Sequence, residues 1–322
     1  MSGPIKCSIL GAGLSLQAFH YPFIATYPDL FTLHSVLERS ATASKSSARD
    51  FTGLEGLKVV NTLEEVTGDD EVELVVISTP NLSHFEYAKK CLSAGKHVLI
   101  EKPLTPTYAE AIELIDLAKE KNLILAPFQN RRWDADFLAA KGLLKEEKLG
   151  QLLEFVSRFD RFRPQAVPNT WKEAPGQLND AIYNLGSHLI DQALVLFGKP
   201  EKVGGWCYNL RAPEGLDDSF LLHLYYPRSH PLSKPYPLLV TLQASIINPG
   251  SKQLRYQIKG NKGLYTKYGL DVQEATLRKV DWNTGLPEDV TPVGKDGWGV
   301  EADGAEGELE LVKEDGSWET VK

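Results

Sequence analysis

The sequence predicts an α/β Rossmann-type doubly wound parallel sheet, followed by an α+β domain with a large, mostly antiparallel sheet. Three observations lead there. Short apolar strands alternate with helical patterns through residues 1–129, as parallel β-α-β units do. A glycine turn, Gly11-Ala12-Gly13, sits between the first strand and the first helix. From Asn130 onward the pattern changes to long strands of alternating polarity with few helices. The boundaries expected are therefore 1–129 for a dinucleotide-binding domain and 130–322 for a substrate-binding and oligomerisation domain.

In the first domain, strands are expected at Ile5–Leu10, Thr32–Leu37, Lys58–Val60, Leu74–Ser78, Val98–Ile100 and Ile124–Phe128. Several are continuous apolar runs, which suits strands buried on both faces. The clearest helix is Ala109–Glu120, with Ala111, Ile112, Ile115 and Ala118 on one face. Thr105 followed by Pro106 predicts its start, a hydroxyl cap with proline at the first helical position. In the second domain an amphipathic helix, Asp134–Lys148, precedes the strands LLEFVSRFDRF, DDSFLLHLYY, PLLVTLQASI and QLRYQIKG. A helix at Asn184–Phe197 interrupts them, and Pro164–Asn179 reads as a loop. Near the end, apolar and polar residues alternate around Asp315-Gly316, which predicts a hairpin.

Composition narrows the function classes. The 322 residues are 42% hydrophobic and 24% charged, as in a globular protein. The net charge of −8 argues against a nucleic-acid partner, since phosphate binding needs clustered cations. Much of that excess is local, eight acidic residues against two lysines from Gly299 to Lys322. Cys7, Cys91 and Cys207 are odd in number and widely spaced, which disfavours both a disulfide framework and a metal site. No apolar run is long enough to span a bilayer, and the first residues lack a secretory pattern. The expectation is a cytoplasmic protein that binds no metal.

Five groups of residues carry chemistry. Gly11 and Gly13, with Leu14 and Ser15 after them, form a turn whose backbone can approach a pyrophosphate at a helix amino terminus. Glu38 ends the second strand, where a carboxylate binds a ribose 2′-hydroxyl and favours NAD. Arg39, next to it, can instead cradle a 2′-phosphate, so NAD and NADP both stay open. Thr79-Pro80-Asn81, with His84 one turn on, borders the expected ligand crevice, though Asn81 is equally suited to cap the next helix. Glu101-Lys102-Pro103 follows a strand. Pro103 keeps Lys102 out of the helical region, so the ammonium is presented from a strand end where it can stabilise a developing alkoxide. Asn184 and His188 stand four apart on one helix, with Asp191 beyond, and an imidazole titrating near neutrality can exchange a proton. Each group also has a plain structural reading as a tight turn, a solvated pair, a helix cap, an exposed lysine or a core histidine.

Together these segments resemble the Gfo/Idh/MocA family of nicotinamide-dependent sugar and polyol oxidoreductases, along essentially the whole chain. The resemblance rests on GAGLSLQAFHYPFI, STPNLSH, AGKHVLIEKP, FQNRRWDADF, FDRFRP and NLGSHLIDQ in that order. It implies Lys102 as catalytic lysine and His188 as acid–base residue, with Asn184 beside it. It also implies NAD(P)(H) contacts from Gly11, Gly13, Glu38, Thr79, Pro80, Asn81, Glu101 and Lys102. Asn130 and Arg131 would stand near the nicotinamide and Trp171 near the cleft. A sugar or polyol substrate and a homodimer through the second-domain sheet are implied as well.

Three features depart from the family pattern. Leu16 replaces the third glycine of the turn motif, and Asn184 stands where many members have aspartate. The chain also stops after the hairpin, where relatives usually continue into a closing helix. These departures motivate an alternative, a catalytically silent nucleotide-binding sensor or transcriptional regulator, because the same fold serves as a galactose-pathway repressor in yeasts. An intact Glu101-Lys102-Pro103 favours the enzyme.

Overall fold

The computed structural model describes residues 3–165, 176–211, 215–279 and 297–321. It divides into two compact units, Met1–Phe128 with Val272–Val300, and Gln129–Asp271 with Glu301–Lys322.

The first unit is a six-stranded sheet: β1 Ile5–Leu10, β2 Phe31–Leu37, β3 Lys58–Val60, β4 Leu74–Ile77, β5 His97–Ile100 and β6 Leu125–Pro127. Its order is β3-β2-β1-β4-β5-β6 and every pairing is parallel. The helices are α1 Tyr21–Thr26, α2 Ser47–Thr52, α3 Leu63–Thr67, α4 His84–Ser93 and α5 Tyr108–Glu120. Two apolar clusters use the strands from both sides, one including Leu10, Val75, Ile77, Val98 and Ile100, the other Ile9, Val36 and Val76. The doubly wound reading of the sequence is thus the observed one. The order reverses at β1, so ligand-binding loops are expected at the carboxyl ends of β1 and β4.

The start of α5 differs from expectation. Thr107, not Thr105, is the cap: its hydroxyl accepts from the Glu110 amide, and the Glu110 carboxylate accepts from the Thr107 amide at 2.9 Å. This capping box satisfies two helix-end donors, whereas a Thr105 cap satisfies one.

In the second unit, α6 Ala135–Lys145 and α7 Ser187–Phe197 accompany an eight-stranded sheet. Its strands are β7 Leu152–Arg158, β8 Lys202–Tyr208, β9 Ser219–Tyr226, β10 Leu238–Ser245, β11 Leu254–Gly260, β12 Gly263–Tyr268, β13 Glu308–Val312 and β14 Trp318–Val321. The order is β14-β13-β12-β11-β7-β10-β9-β8, antiparallel except where β10 meets β7. Alternation decides which face is buried: Leu238, Val240, Leu242 and Ala244 face the core with Phe220, Leu224 and, from α7, Leu189, Ala193 and Phe197. The predicted hairpin is β13–β14, with Gly316 at φ +80° and the Asp315 carboxylate accepting from the Ser317 amide. Of the predicted loop 164–179, residues 166–175 lie outside the described residues.

Back in the first unit, α8 Gln273–Leu277 places Leu277 against Ala18, with Phe19, Phe23 and Trp298 packed around them.

Candidate active site

The turn after β1 is built around the space at Gly11. Its φ is +113°, and a Cβ there would sit 3.0 Å from the Ser78 carbonyl oxygen and 3.2 Å from the Ser78 hydroxyl. That hydroxyl donates to the Leu10 carbonyl at 2.9 Å, tying the ends of β4 and β1 together. Gly13 is different: a Cβ there would meet nothing within 4 Å. Among the described residues no non-adjacent neighbour accounts for its missing side chain, whereas a ligand lying against the turn would.

The following helix does not begin as an α-helix. Leu16–His20 is a π-helical turn in which the Tyr21 amide bonds the Leu16 carbonyl, five residues back. Pro22 supplies a reason: it has no N–H for the Ala18 carbonyl and its ring crowds a regular helix behind it. Leu16, at the position of the missing third glycine, is fully buried with Ile9, Val36 and Val76. A larger side chain is accommodated there as part of the core.

His20 closes the π turn with φ −121°, outside helical values. Its ring is buried, lies 4.6 Å from the Phe128 ring, and places Nε2 3.0 Å from Glu101 Oε1. Burial alone would raise the Glu101 pKa. His20, together with the Lys102 ammonium and backbone amide, outweighs it and holds Glu101 below the ordinary value. Sequence reasoning missed His20, since nothing local links two residues 81 apart in the chain.

Lys102 stands two residues after the end of β5 and is joined to Pro103 by a cis peptide bond. His84, from α4, is fully buried between two main-chain oxygens, with Nδ1 2.8 Å from Pro103 and Nε2 3.0 Å from Thr79. Burial pushes its pKa down against the pull of both carbonyls. A neutral ring carries one N–H, so only one of the two contacts then holds a proton. His84 thereby links the Thr79 turn to the Lys102–Pro103 turn. Thr79 and Ser83 share a 2.7 Å hydroxyl hydrogen bond, and Asn81 begins a 3-10 turn. The cap position of α4 is Ser83 rather than Asn81.

Glu38 faces inward on its own loop. Oε2 accepts from the Ser46 hydroxyl at 2.7 Å and the Ala48 amide at 3.2 Å, and Oε1 from the Ser47 amide at 2.9 Å. Burial would raise its pKa, but these donors, together with the Ser47 side chain, lower it on balance. The carboxylate braces the start of α2, while Arg39 beside it is exposed.

In the second unit, Asn130 and Arg131 lie in a 3-10 turn, Asn130–Trp133, bound to α7. Gln192 donates to the Arg131 carbonyl at 2.7 Å, and Arg132 pairs with Asp191. Arg131 is buried over the Phe159 ring and reaches Asp134 at 3.2 Å. Even so, burial, aided by Asp136 and Asp271, pushes the Asp134 pKa up to about 7. His188 on α7 is buried, while Asn184 is exposed in a π-helical turn, Ile182–Gly186. Gly186 has no room for a Cβ, which would stand 2.8 Å from Ile182 Cδ1 and 3.2 Å from the Phe220 ring.

The structure thus gathers Gly11, Gly13, Leu14, Ser15, Glu38, Arg39, Thr79, Pro80, Asn81, Glu101 and Lys102 after the carboxyl ends of parallel strands in one unit. Asn130, Arg131, Asn184 and His188 belong to the other. Trp171 lies outside the described residues.

Among the described residues, one group has the residue types of a metal centre. Ligand atoms of His34, Asp69 and Glu71 lie within 4.8 Å of one another. Their charges are already matched, since Lys58 and His34 both reach Asp69 Oδ2, at 2.6 and 3.0 Å, and Lys6 pairs with Glu71.

This geometry has counterparts in known proteins. Residues 5–128 match the oxidoreductase family with an NAD-binding Rossmann fold, and residues 137–266 match the GFO/IDH/MocA C-terminal domain. The chain is 43% identical over 276 residues to an uncharacterized oxidoreductase of Schizosaccharomyces pombe, covering 85% of this chain and 73% of that one. It is 36% identical over 309 residues to the NADP(+)-dependent scyllo-inositol 2-dehydrogenase IolW of Bacillus subtilis, covering 96% and 78%. The solved structure of the Bacillus subtilis oxidoreductase YvaA superimposes with a TM-score of 0.84 at 33% identity, covering 100% of this chain and 84% of that one. The chain belongs to the Gfo/Idh/MocA family of oxidoreductases, with an NAD-binding Rossmann domain.

Proposed function

We propose that the protein is an NAD(P)-dependent oxidoreductase that passes a hydride between nicotinamide and a hydroxyl or carbonyl carbon of a sugar, polyol or related small molecule. The observation that carries this reading is the position of Glu101-Lys102 directly after β5, in the same parallel sheet as the Gly11 turn after β1. When bound, the nicotinamide supplies the hydride acceptor or donor. Gly11 and Gly13 let the pyrophosphate approach the backbone, with Leu14 and Ser15 beside it. Thr79, Pro80 and Asn81 border the crevice, and Asn130, Arg131 and Trp171 are the further residues proposed for cofactor binding.

Lys102 hydrogen-bonds the substrate oxygen and stabilises the charge that develops there. His188 exchanges the hydroxyl proton, and Asn184 orients substrate or imidazole without itself taking a proton. The likeness to an inositol dehydrogenase supports a cyclic polyol as the first substrate to try.

A reducing, cytoplasmic setting accords with three free cysteines. A homodimer through the outer face of the eight-stranded sheet accords with Trp206, Tyr225 and Leu239 exposed on that one face. Light scattering on purified protein tests the dimer.

The function is tested by fluorescence titration with NADH and NADPH, then a 340 nm assay across inositols and sugars. Lys102→Ala is expected to lower turnover at least ~100-fold with cofactor binding retained. Near-normal turnover would remove Lys102 from the mechanism.

A further inference from the structure

We propose that His20 is a positioning residue for Lys102, acting through the Glu101 carboxylate that it holds at the end of β5. The proposal rests on Lys102 being the residue that handles the substrate oxygen.

The local chemistry starts with Pro22. By denying the helix an N–H, it accompanies the π turn Leu16–His20 and leaves His20 at φ −121°. Single π turns are frequent at functional sites because they turn a side chain away from its regular helical direction. Here the ring lies against Phe128, whose own amide is bonded to the Ile100 carbonyl at 2.7 Å. The side chains of His20 and Glu101 are 2% and 12% exposed, so little solvent competes for the 3.0 Å contact. Glu101 also accepts from the Lys102 backbone amide and feels the Lys102 charge.

The helix that follows the glycine turn is thereby connected to the lysine by one hydrogen-bonded carboxylate. Among the described residues, buried His84 also feels the charges of both Glu101 and Lys102. A buried carboxylate robbed of its donor favours the neutral acid. Lys102 would then lose part of the negative charge beside it and titrate lower.

Competitive acetylation of the full-length protein across pH, read at Lys102 by peptide mass spectrometry, tests this without any substrate. Glu101→Gln is expected to lower the apparent Lys102 pKa by about one unit, the lower end for an adjacent opposite charge. His20→Phe, which keeps a ring but not the donor, is expected to shift it the same way by less. His20→Gln, which restores an N–H, is expected to return it towards wild type. If His20→Phe does not fold by circular dichroism, His20→Asn, too short to reach Glu101, replaces it with the same expectation. A folded His20→Phe or His20→Asn protein with a wild-type Lys102 curve overturns the proposal. A purely structural His20 would alter melting temperature and leave that curve in place. Absence of turnover on every substrate would count against the oxidoreductase reading while leaving the labelling result intact.

Discussion

Arg132 grips Asp191 through two charge-assisted hydrogen bonds, Nε to Oδ2 at 2.7 Å and Nη2 to Oδ1 at 2.6 Å. Asp191 lies three residues beyond His188 on α7, and the next residue, Gln192, holds the Arg131 carbonyl. Gln192 is itself held by fully buried Arg255 at 2.8 Å, which also binds Asp136, Ser157 and the Tyr256 hydroxyl. The helix bearing His188 is therefore pinned to the turn bearing Asn130 and Arg131 by side chains outside the proposed chemistry.

Asp191→Asn should expose that role. Arg132 is 45% exposed, so the stability loss is expected to stay near 1 kcal/mol or below. Turnover is expected to fall about tenfold, because small displacements of a reacting group are costly. Urea unfolding and steady-state kinetics measure the two effects. Unchanged kcat would show that the pair does not position His188.

Gly11 and Gly13 should respond differently to a single methyl. Gly11→Ala forces a Cβ against Ser78 at a positive φ, so about 1–3 kcal/mol of stability is expected to be lost. Gly13→Ala meets open space, and its stability is expected to stay within about 0.5 kcal/mol of wild type. Its NADPH affinity should nevertheless fall at least tenfold, about 1.4 kcal/mol, if the pyrophosphate lies against that backbone. Calorimetric binding beside thermal unfolding separates the two effects. Wild-type affinity in Gly13→Ala would place the pyrophosphate elsewhere.

Asp134 gives stability a pH signature. Its folded pKa of about 7 lies above that of the unfolded chain. From about pH 4 to 7 the native state therefore keeps a proton that the unfolded state has released, and stability falls as pH rises through this window. The slope from this one group cannot exceed about 1.4 kcal/mol per pH unit. Asp134→Asn removes that titrating group and should flatten the curve. Urea midpoints at pH 5, 6, 7 and 8 for both proteins test this. Parallel curves would mean that Asp134 is ionised throughout.

The parallel sheet was legible because its strands alternate with helical patterns and several, such as Leu74–Ile77, are apolar runs, and the end of α5 was legible from its periodic face. The start of α5 was not. Thr105 and Thr107 both offer a hydroxyl, and only the reciprocal bond from Glu110 chooses between them. The site divides the same way. Gly11 and Lys102 carry their message in local sequence, through a turn and a following proline. His20, Ser78 and Arg255 do not, because their partners Glu101, Leu10 and Asp136 are 68 or more residues away. Glu38 was placed correctly at the end of β2, but the donors that occupy it come from a loop whose path no periodicity predicts.

That occupation bears on cofactor choice. A ribose diol gripped by Glu38 needs both carboxylate oxygens, yet Oε2 already accepts two hydrogen bonds and Oε1 one. An oxygen offers about two lone-pair sites, so a two-point grip requires loosening the start of α2. If Glu38 is chiefly a brace, Glu38→Gln turns an NH2 group towards existing donors. It should then cost about 1–3 kcal/mol of stability. NADH and NADPH affinities should fall together, their ratio changing by less than about threefold, which is under 1 kcal/mol. If Glu38 instead reads the ribose, the same change removes a charge that repels a 2′-phosphate, and the ratio should move towards NADPH by tenfold or more, about 1.4 kcal/mol. Parallel titrations of the variant with both cofactors decide between a brace and a reader, and a large selective gain for NADPH would sink the brace.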